Sequence, residues 1–210
     1  MLTISKKAID FIIAEEDCDQ AYYEQHCIGF EWPGGASGAT VGIGYDCGYC
    51  SPSEIQSDWD GLISDGMIAY LKKASGLTHE AAHGFVRHYR GFVRIDWETA
   101  VRQFTEREMP KWITRVENAL PNCDKLSPDS LGALVSLAYN RGASFHLLGD
   151  RYTEMRAIND HMIAGEFGKI PAEIKHMARL WAKGGDLWRR RYHEAELFSA
   201  GLPVESALSI

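Results

Sequence analysis

The chain has no apolar run approaching the length of a membrane-spanning helix. Its first residues, Met1-Leu2-Thr3-Ile4-Ser5-Lys6-Lys7, lead into an amphipathic pattern rather than the apolar core of a signal peptide. That start predicts synthesis in the cytoplasm without membrane insertion, so action elsewhere would need delivery by another agent. Basic residues are in deficit: 22 Lys and Arg stand against 29 Asp and Glu, a formal net charge of -7. A face that neutralises phosphates needs the opposite balance, which argues against nucleic acid and anionic membrane surfaces as partners. The same deficit sits awkwardly with an anionic polymer substrate. No repeat, low-complexity tract or linker interrupts the sequence. Metal motifs are incomplete too. Cys47-Gly48-Tyr49-Cys50 has CxxC spacing without a second CxxC, so a zinc site would have to borrow Cys18, Cys27 or His26. No metal and no cofactor are expected. Five cysteines are an odd count, leaving at least one unpaired within the chain; free thiols or a conditional disulfide are the expectation.

What is present suits one folded domain. The 210 residues are 45% hydrophobic and 24% charged, enough to build a sizeable core. Ser5 is a good N-cap for a first helix, with Ile9, Ile12 and Ile13 at helical spacing. Ser51-Pro52-Ser53-Glu54 reads as a helix start, and the chain is mostly helical from there. Asp96-Trp97-Glu98 predicts a long helix through Phe104 and Met109, kinked or broken at Pro110. Ser127-Pro128-Asp129 opens another, which stops at Asn140-Arg141-Gly142, and a last helix runs from about 186 to 199. The expectation is a single α+β domain over 1–210. It would have a lobe of about 1–55 carrying a helix and a small sheet, a helical lobe of about 56–210, and a cleft between them.

The stretch Trp32-Pro33-Gly34-Gly35-Ala36-Ser37-Gly38-Ala39-Thr40-Val41-Gly42-Ile43-Gly44-Tyr45-Asp46 is the most informative. Its second half alternates like a strand. Glycines at alternate strand positions leave a face bare for a ligand or another backbone. In a regular strand Thr40 and Asp46, both at even positions, share one face and could hold a water between them. Upstream, Glu16 falls on the stripe of Ile9, Ile12 and Ile13, whereas Glu15 points off it. Burial beside apolar side chains raises a carboxyl pKa, which suits a general acid. A helix-borne acid facing a bare strand with a hydroxyl and a second acid fits cleavage of a glycosidic bond. Each residue has a plainer alternative: a salt bridge for Glu16, a turn for Asp46 and an ordinary strand position for Thr40. Tyr22, Tyr23, Trp32 and Tyr45 could stack on sugar faces or belong to the core.

Taken together, these segments resemble the phage-type lysozymes, and most closely their pesticin-like bacterial toxin and endolysin branch. The resemblance rests on Phe11-Ile12 with Glu16, on Ala21-Tyr22-Tyr23-Glu24 and on the glycine block. It continues in Ala133-Leu134-Val135-Ser136-Leu137-Ala138-Tyr139-Asn140-Arg141-Gly142 and Arg190-Arg191-Tyr192-His193-Glu194-Ala195-Glu196-Leu197-Phe198. It implies a lysozyme-like fold and a muramidase that hydrolyses the β-1,4 bond between N-acetylmuramic acid and N-acetylglucosamine with inversion. Glu16 would be the general acid, with Thr40 and Asp46 orienting and activating water. Asp46 follows Thr40, as in the toxin-like branch; the ordinary phage order would put the acid upstream, where Glu24 is the reserve base. Substrate contacts are expected from Ser37, Gly44, Tyr45, Asn140 and Arg141, with one of Arg190 or Arg191 bordering the cleft. Glycan strands of peptidoglycan are the implied partner of a monomer, and a toxin of this kind would also have an immunity protein. Action falls on the cell wall after lysis, holin release or secretion. A lytic transglycosylase and an inactive glycan-binding module are the alternatives.

Overall fold

Polar side chains at helix starts organise most of this chain. The computed structural model describes residues 2–16 and 19–203, so Cys18 lies outside the described residues. Ser5 accepts a hydrogen bond from the Ala8 N–H at 3.0 Å and opens α1, Lys6–Glu15. Asp19 caps the short α2, Gln20–Tyr22, through the Tyr22 N–H. A hairpin follows, with β1 (Thr40–Val41) antiparallel to β2 (Tyr45–Asp46). Ser51 and Glu54 form a reciprocal capping box at the start of α3, Pro52–Trp59. Next come α4 (Asp65–Lys73), α5 (His79–Tyr89) and α6 (Trp97–Gln103), the last capped by Asp96 through the Thr99 N–H.

The long helix expected from Asp96 is interrupted earlier than Pro110. After α6 the backbone passes through a π-helical stretch, Phe104–Glu108, and resumes as α7, Met109–Ala119. Proline has no N–H for the preceding turn and crowds the carbonyl four residues back, a conflict that a wider turn relieves. Ser127 caps α8, Pro128–Arg141, which ends where Gly142 takes a φ of 78°. Then follow α9 (Thr153–Ala164), α10 (Ile170–His176) and α11 (Asp186–Ala200). The described residues are 68% helix with a small two-stranded antiparallel sheet, an α+β composition. Among the described residues no helix is long and apolar enough to cross a membrane.

The chain divides into two compact units, one of Met1–Ile12 with Pro110–Ile210 and one of Ile13–Met109. The division therefore falls near residue 109 rather than near 55. The physical reason lies in what α3 to α6 cover. Trp59 of α3 meets the Tyr45 ring edge-on at 5.4 Å, and a β-carbon added to Gly42 would lie 3.2 Å from Trp59 and 3.9 Å from Ala100 of α6. Phe85 of α5 packs edge-to-face on Phe30 at 5.2 Å. The hairpin and these helices thus share one core.

In the other unit α8 is buried from Ser130 through Ala138. Gly132 lets α1 approach, since a β-carbon there would lie 2.2 Å from the Ala8 β-carbon. On α11, Glu194 is fully buried. It accepts from the Ser136 hydroxyl at 2.7 Å and pairs with Arg190 and Arg191 at 3.3 and 3.0 Å. Buried charges are tolerated only when paired in this way.

Candidate active site

A chain reversal, and not a regular strand, shapes the glycine block. Gly42 and Gly44 have φ of 58° and 67°, values that L-residues with side chains rarely adopt. They turn the chain between Val41 and Tyr45. Thr40 and Asp46 still meet, but as partners across an antiparallel pair. This corrects the expectation of one strand carrying both on alternate positions. A further bridge joins Thr40 to Glu31, antiparallel, on the other side of β1. Residues directly opposite in a sheet project to the same face. Glu31, Thr40 and Asp46 therefore form a row with the threonine in the middle.

Within the unit Ile13–Met109, a cavity of about 460 Å³ opens over Glu31 and Thr40 of this row. Glu16 lines it from the turn after α1, where its N–H donates to the Ile13 carbonyl at 3.2 Å. Ile12 and Ile13 are buried as their spacing predicted, but Glu16 itself is half-buried and Glu15 equally so. Glu16, and not Glu15, is at the cavity wall. Thr40 lines it as well, with its hydroxyl 3.4 Å from the Gly38 carbonyl, and Val41, Gly42 and Gly44 complete the floor.

Two aromatic side chains supply the walls. Tyr22 is half-exposed and leans on His26 with ring centroids 4.7 Å apart. Trp32 stacks face to face on His83 of α5 at 4.5 Å, and its indole N–H donates to the Ser37 carbonyl at 3.1 Å. Ser37 thus acts through its backbone, holding Trp32, and its side chain is not part of the cavity wall. Tyr23 and Tyr45 belong to the core. Tyr23 is fully buried and donates to the Ile95 carbonyl at 3.0 Å. Tyr45 is 4% exposed and donates to the Asp58 carboxylate at 2.8 Å, so the substrate contact expected of it is not available. Burial and the acidic neighbour push its phenol far above the ordinary range, which keeps it a neutral donor.

Asp46 is occupied elsewhere. Its Oδ2 accepts from the Gly38 N–H at 2.8 Å and its Oδ1 from the Gly48 N–H at 2.9 Å, and it does not line the cavity. Both glycines are obligatory there, since a β-carbon on Gly38 would lie 2.1 Å from Asp46 Oδ1 and one on Gly48 2.7 Å from Gly38 Cα. The turn role weighed for this aspartate is the one its carboxylate performs. Glu24, the reserve base, is exposed in the π-helical stretch Tyr23–Cys27. It accepts from Gln20 at 2.7 Å and borders a separate depression with Arg94 and Trp97.

Glu31 is the residue that sequence reasoning missed. It lines the cavity, is half-buried, and its Oε1 takes a charged hydrogen bond from the Arg90 guanidinium. The same arm of Arg90 donates to the His26 carbonyl at 2.9 Å. Desolvation lifts the Glu31 carboxyl above the ordinary range, while Arg90 and His26 pull it back. No local motif marks it. Its partnership with Thr40 crosses a loop, and only Phe30-Glu31-Trp32, reading apolar, polar, apolar, hints at an extended segment.

Asn140 and Arg141 belong to the other unit, at the end of α8. There Asn140 Oδ1 accepts from Arg191 at 3.1 Å and Arg141 stands over the Trp181 ring at 5.0 Å. Burial and the neighbouring Arg151 lower the Arg141 pKa. Arg190 and Arg191 are committed to Glu194. Cys27, Cys47 and Cys123 are free thiols, the Cys50 thiol donates to the Asp46 carbonyl at 3.4 Å, and Cys47 of the CxxC is buried with its pKa pushed well up by desolvation. Among the described residues, no His, Cys, Asp and Glu group is arranged to hold a metal ion.

Comparison with known proteins identified no matching family model and no matching curated protein. The chemistry must be read from the cavity.

Proposed function

We propose that this chain is a glycoside hydrolase of lysozyme-like fold, a muramidase that cleaves the β-1,4 bond between N-acetylmuramic acid and N-acetylglucosamine in peptidoglycan. The observation that carries the reading is the meeting of Glu16 and Thr40 on one cavity with a bare glycine floor and two aromatic walls. A sugar polymer needs such a surface. Flat rings can stack on Tyr22 and Trp32, and the side-chain-free edge at Gly42 and Gly44 admits the backbone of the glycan. The resemblance of the glycine block to phage-type lysozymes supports the same substrate and the toxin-like branch.

Glu16 protonates the departing oxygen. Water on the opposite face of the sugar, held by the Thr40 hydroxyl and a second carboxylate, attacks the anomeric carbon. Single-step inversion of this kind needs the carboxylates about 6.5–9.5 Å apart. No metal or organic cofactor takes part. The enzyme works as a monomer on glycan strands of the cell wall after release or secretion.

A lytic transglycosylase is the second reading. It is favoured by one observation: Asp46 is tied to Gly38 and Gly48, and Glu24 lies off the cavity, so neither expected base is at hand. Digestion of purified peptidoglycan separates the two. Hydrolysis releases new reducing ends with the intact disaccharide mass, and proton NMR on a soluble oligosaccharide shows the α anomer first. A 1,6-anhydro product would replace the hydrolase by the transglycosylase. No cleavage by folded protein would leave only a glycan-binding module.

A further inference from the structure

We propose that Glu31 is the carboxylate that takes the proton from the attacking water, with Thr40 as its partner and Arg90 as its positioning residue. The inference deepens the muramidase reading and rests on it. Three observations converge. Glu31 and Thr40 exchange both backbone hydrogen bonds, each 2.8 Å, which sets their side chains side by side on one face of the sheet. Both side chains line the cavity that Glu16 also lines. The competing acid, Asp46, stands on the other side of Thr40 with both carboxylate oxygens engaged by backbone N–H groups.

The electrostatics suit the task. A carboxylate whose basicity is raised by desolvation accepts a proton more readily than an ordinary surface acid. Arg90 holds one oxygen, Oε1, and is anchored in turn on the His26 carbonyl, so Oε2 can turn toward Thr40. In the step itself the water oxygen bonds to the anomeric carbon as the C–O bond to the leaving sugar breaks. Glu16 gives its proton to the departing oxygen, and the proton of the water goes to Glu31. Solvent then returns each acid to its starting state. Nothing besides water is consumed.

Substitution with chemical rescue tests the assignment. E31A and D46A are compared with wild type on a soluble peptidoglycan oligosaccharide, with and without sodium azide, and circular dichroism reports folding. E31Q keeps the volume and one acceptor for Arg90, and serves where E31A folds poorly. The expected result is a turnover loss of about 10²–10⁴-fold in E31A and E31Q with KM little changed. Azide, which needs no base, should restore turnover in E31A and yield an α-configured glycosyl azide. R90M should lower kcat less than E31Q does and shift the pH profile of kcat. Turnover by E31A within threefold of an active wild type would overturn Glu31 while sparing the muramidase reading, as would azide rescue of D46A in place of E31A. A folded wild type that cleaves no glycan would overturn both.

Discussion

The Asp46 carboxylate and the Gly38 backbone are in contact so close that neither can change alone: the Gly38 N–H donates to Oδ2 at 2.8 Å, and a β-carbon on Gly38 would stand 2.1 Å from Oδ1. The contact ties the approach to β1 to the end of β2. It also fixes where Thr40 lies, two residues after Gly38.

Gly38→Ala should therefore destabilise the unit that holds the hairpin. The added methyl also meets the Gly48 Cα at 2.6 Å, and backbone cannot move aside as a side-chain end can. Overpacking of this kind costs about 1–3 kcal/mol. Urea unfolding followed by tryptophan fluorescence, to which Trp32, Trp59 and Trp97 of this unit contribute among the chain's six tryptophans, measures it. A midpoint unchanged from wild type would mean that the loop has slack.

Glu16→Gln should abolish turnover, a loss of about 10²–10⁴-fold, in a protein that still folds. The amide keeps the shape and cannot protonate a leaving oxygen. Glu15→Gln should be mild, because only Glu16 lies on the cavity wall. Turbidity clearance of cell-wall suspensions, with circular dichroism as control, compares the two. A dead Glu15→Gln beside an active Glu16→Gln would reverse the assignment.

Trp32→Ala should weaken glycan binding more than chemistry. The indole offers its face on a cavity wall, braced from behind by His83 and at its N–H by the Ser37 carbonyl. KM is expected to rise about tenfold, equivalent to roughly 1.4 kcal/mol of binding, with a smaller change in kcat. Initial rates over a range of oligosaccharide concentrations read both. A fall in kcat alone would mean that Trp32 positions the reacting groups and not the sugar.

Asp96→Ala should cost about 1 kcal/mol of stability near neutral pH by removing the cap of α6. The Thr99 N–H and hydroxyl hold the Asp96 carboxyl below its ordinary value. A depressed folded pKa means that the cap's contribution is fully present above the unfolded value, about 3.9, and fades as pH falls through the folded one. The gap in melting temperature between wild type and Asp96→Ala should thus narrow below about pH 4. Asp96→Asn should show no such pH dependence, since an asparagine cap does not titrate in this range.

Local chemistry in the sequence determined much of this protein. Ser5, Ser51, Asp96 and Ser127 mark helix starts because a short polar side chain three residues before an N–H can satisfy it without any distant help. Ile12 and Ile13 on one stripe likewise announced which side of α1 is buried, but Glu16, expected on that stripe, stands half-buried in the turn after the helix. The glycine block was legible as a bare surface, though its turn was not. Alternation alone does not distinguish a straight strand from a strand reversed at Gly42 and Gly44, where the deciding fact is a positive φ.

Tertiary structure alone decided which carboxylate lines the cavity beside Thr40. Asp46 has the right spacing from Thr40, yet two backbone N–H groups from Gly38 and Gly48 claim its carboxylate. Glu31 has no motif to announce it, yet β-pairing across the loop of residues 32–39 sets it beside Thr40, and Arg90, from far along the chain, holds it there. Spacing along a chain specifies neighbours only within one helix or strand. Which carboxylate meets which hydroxyl across a loop is settled by backbone pairing, and by which N–H groups need an acceptor once the chain has closed on itself.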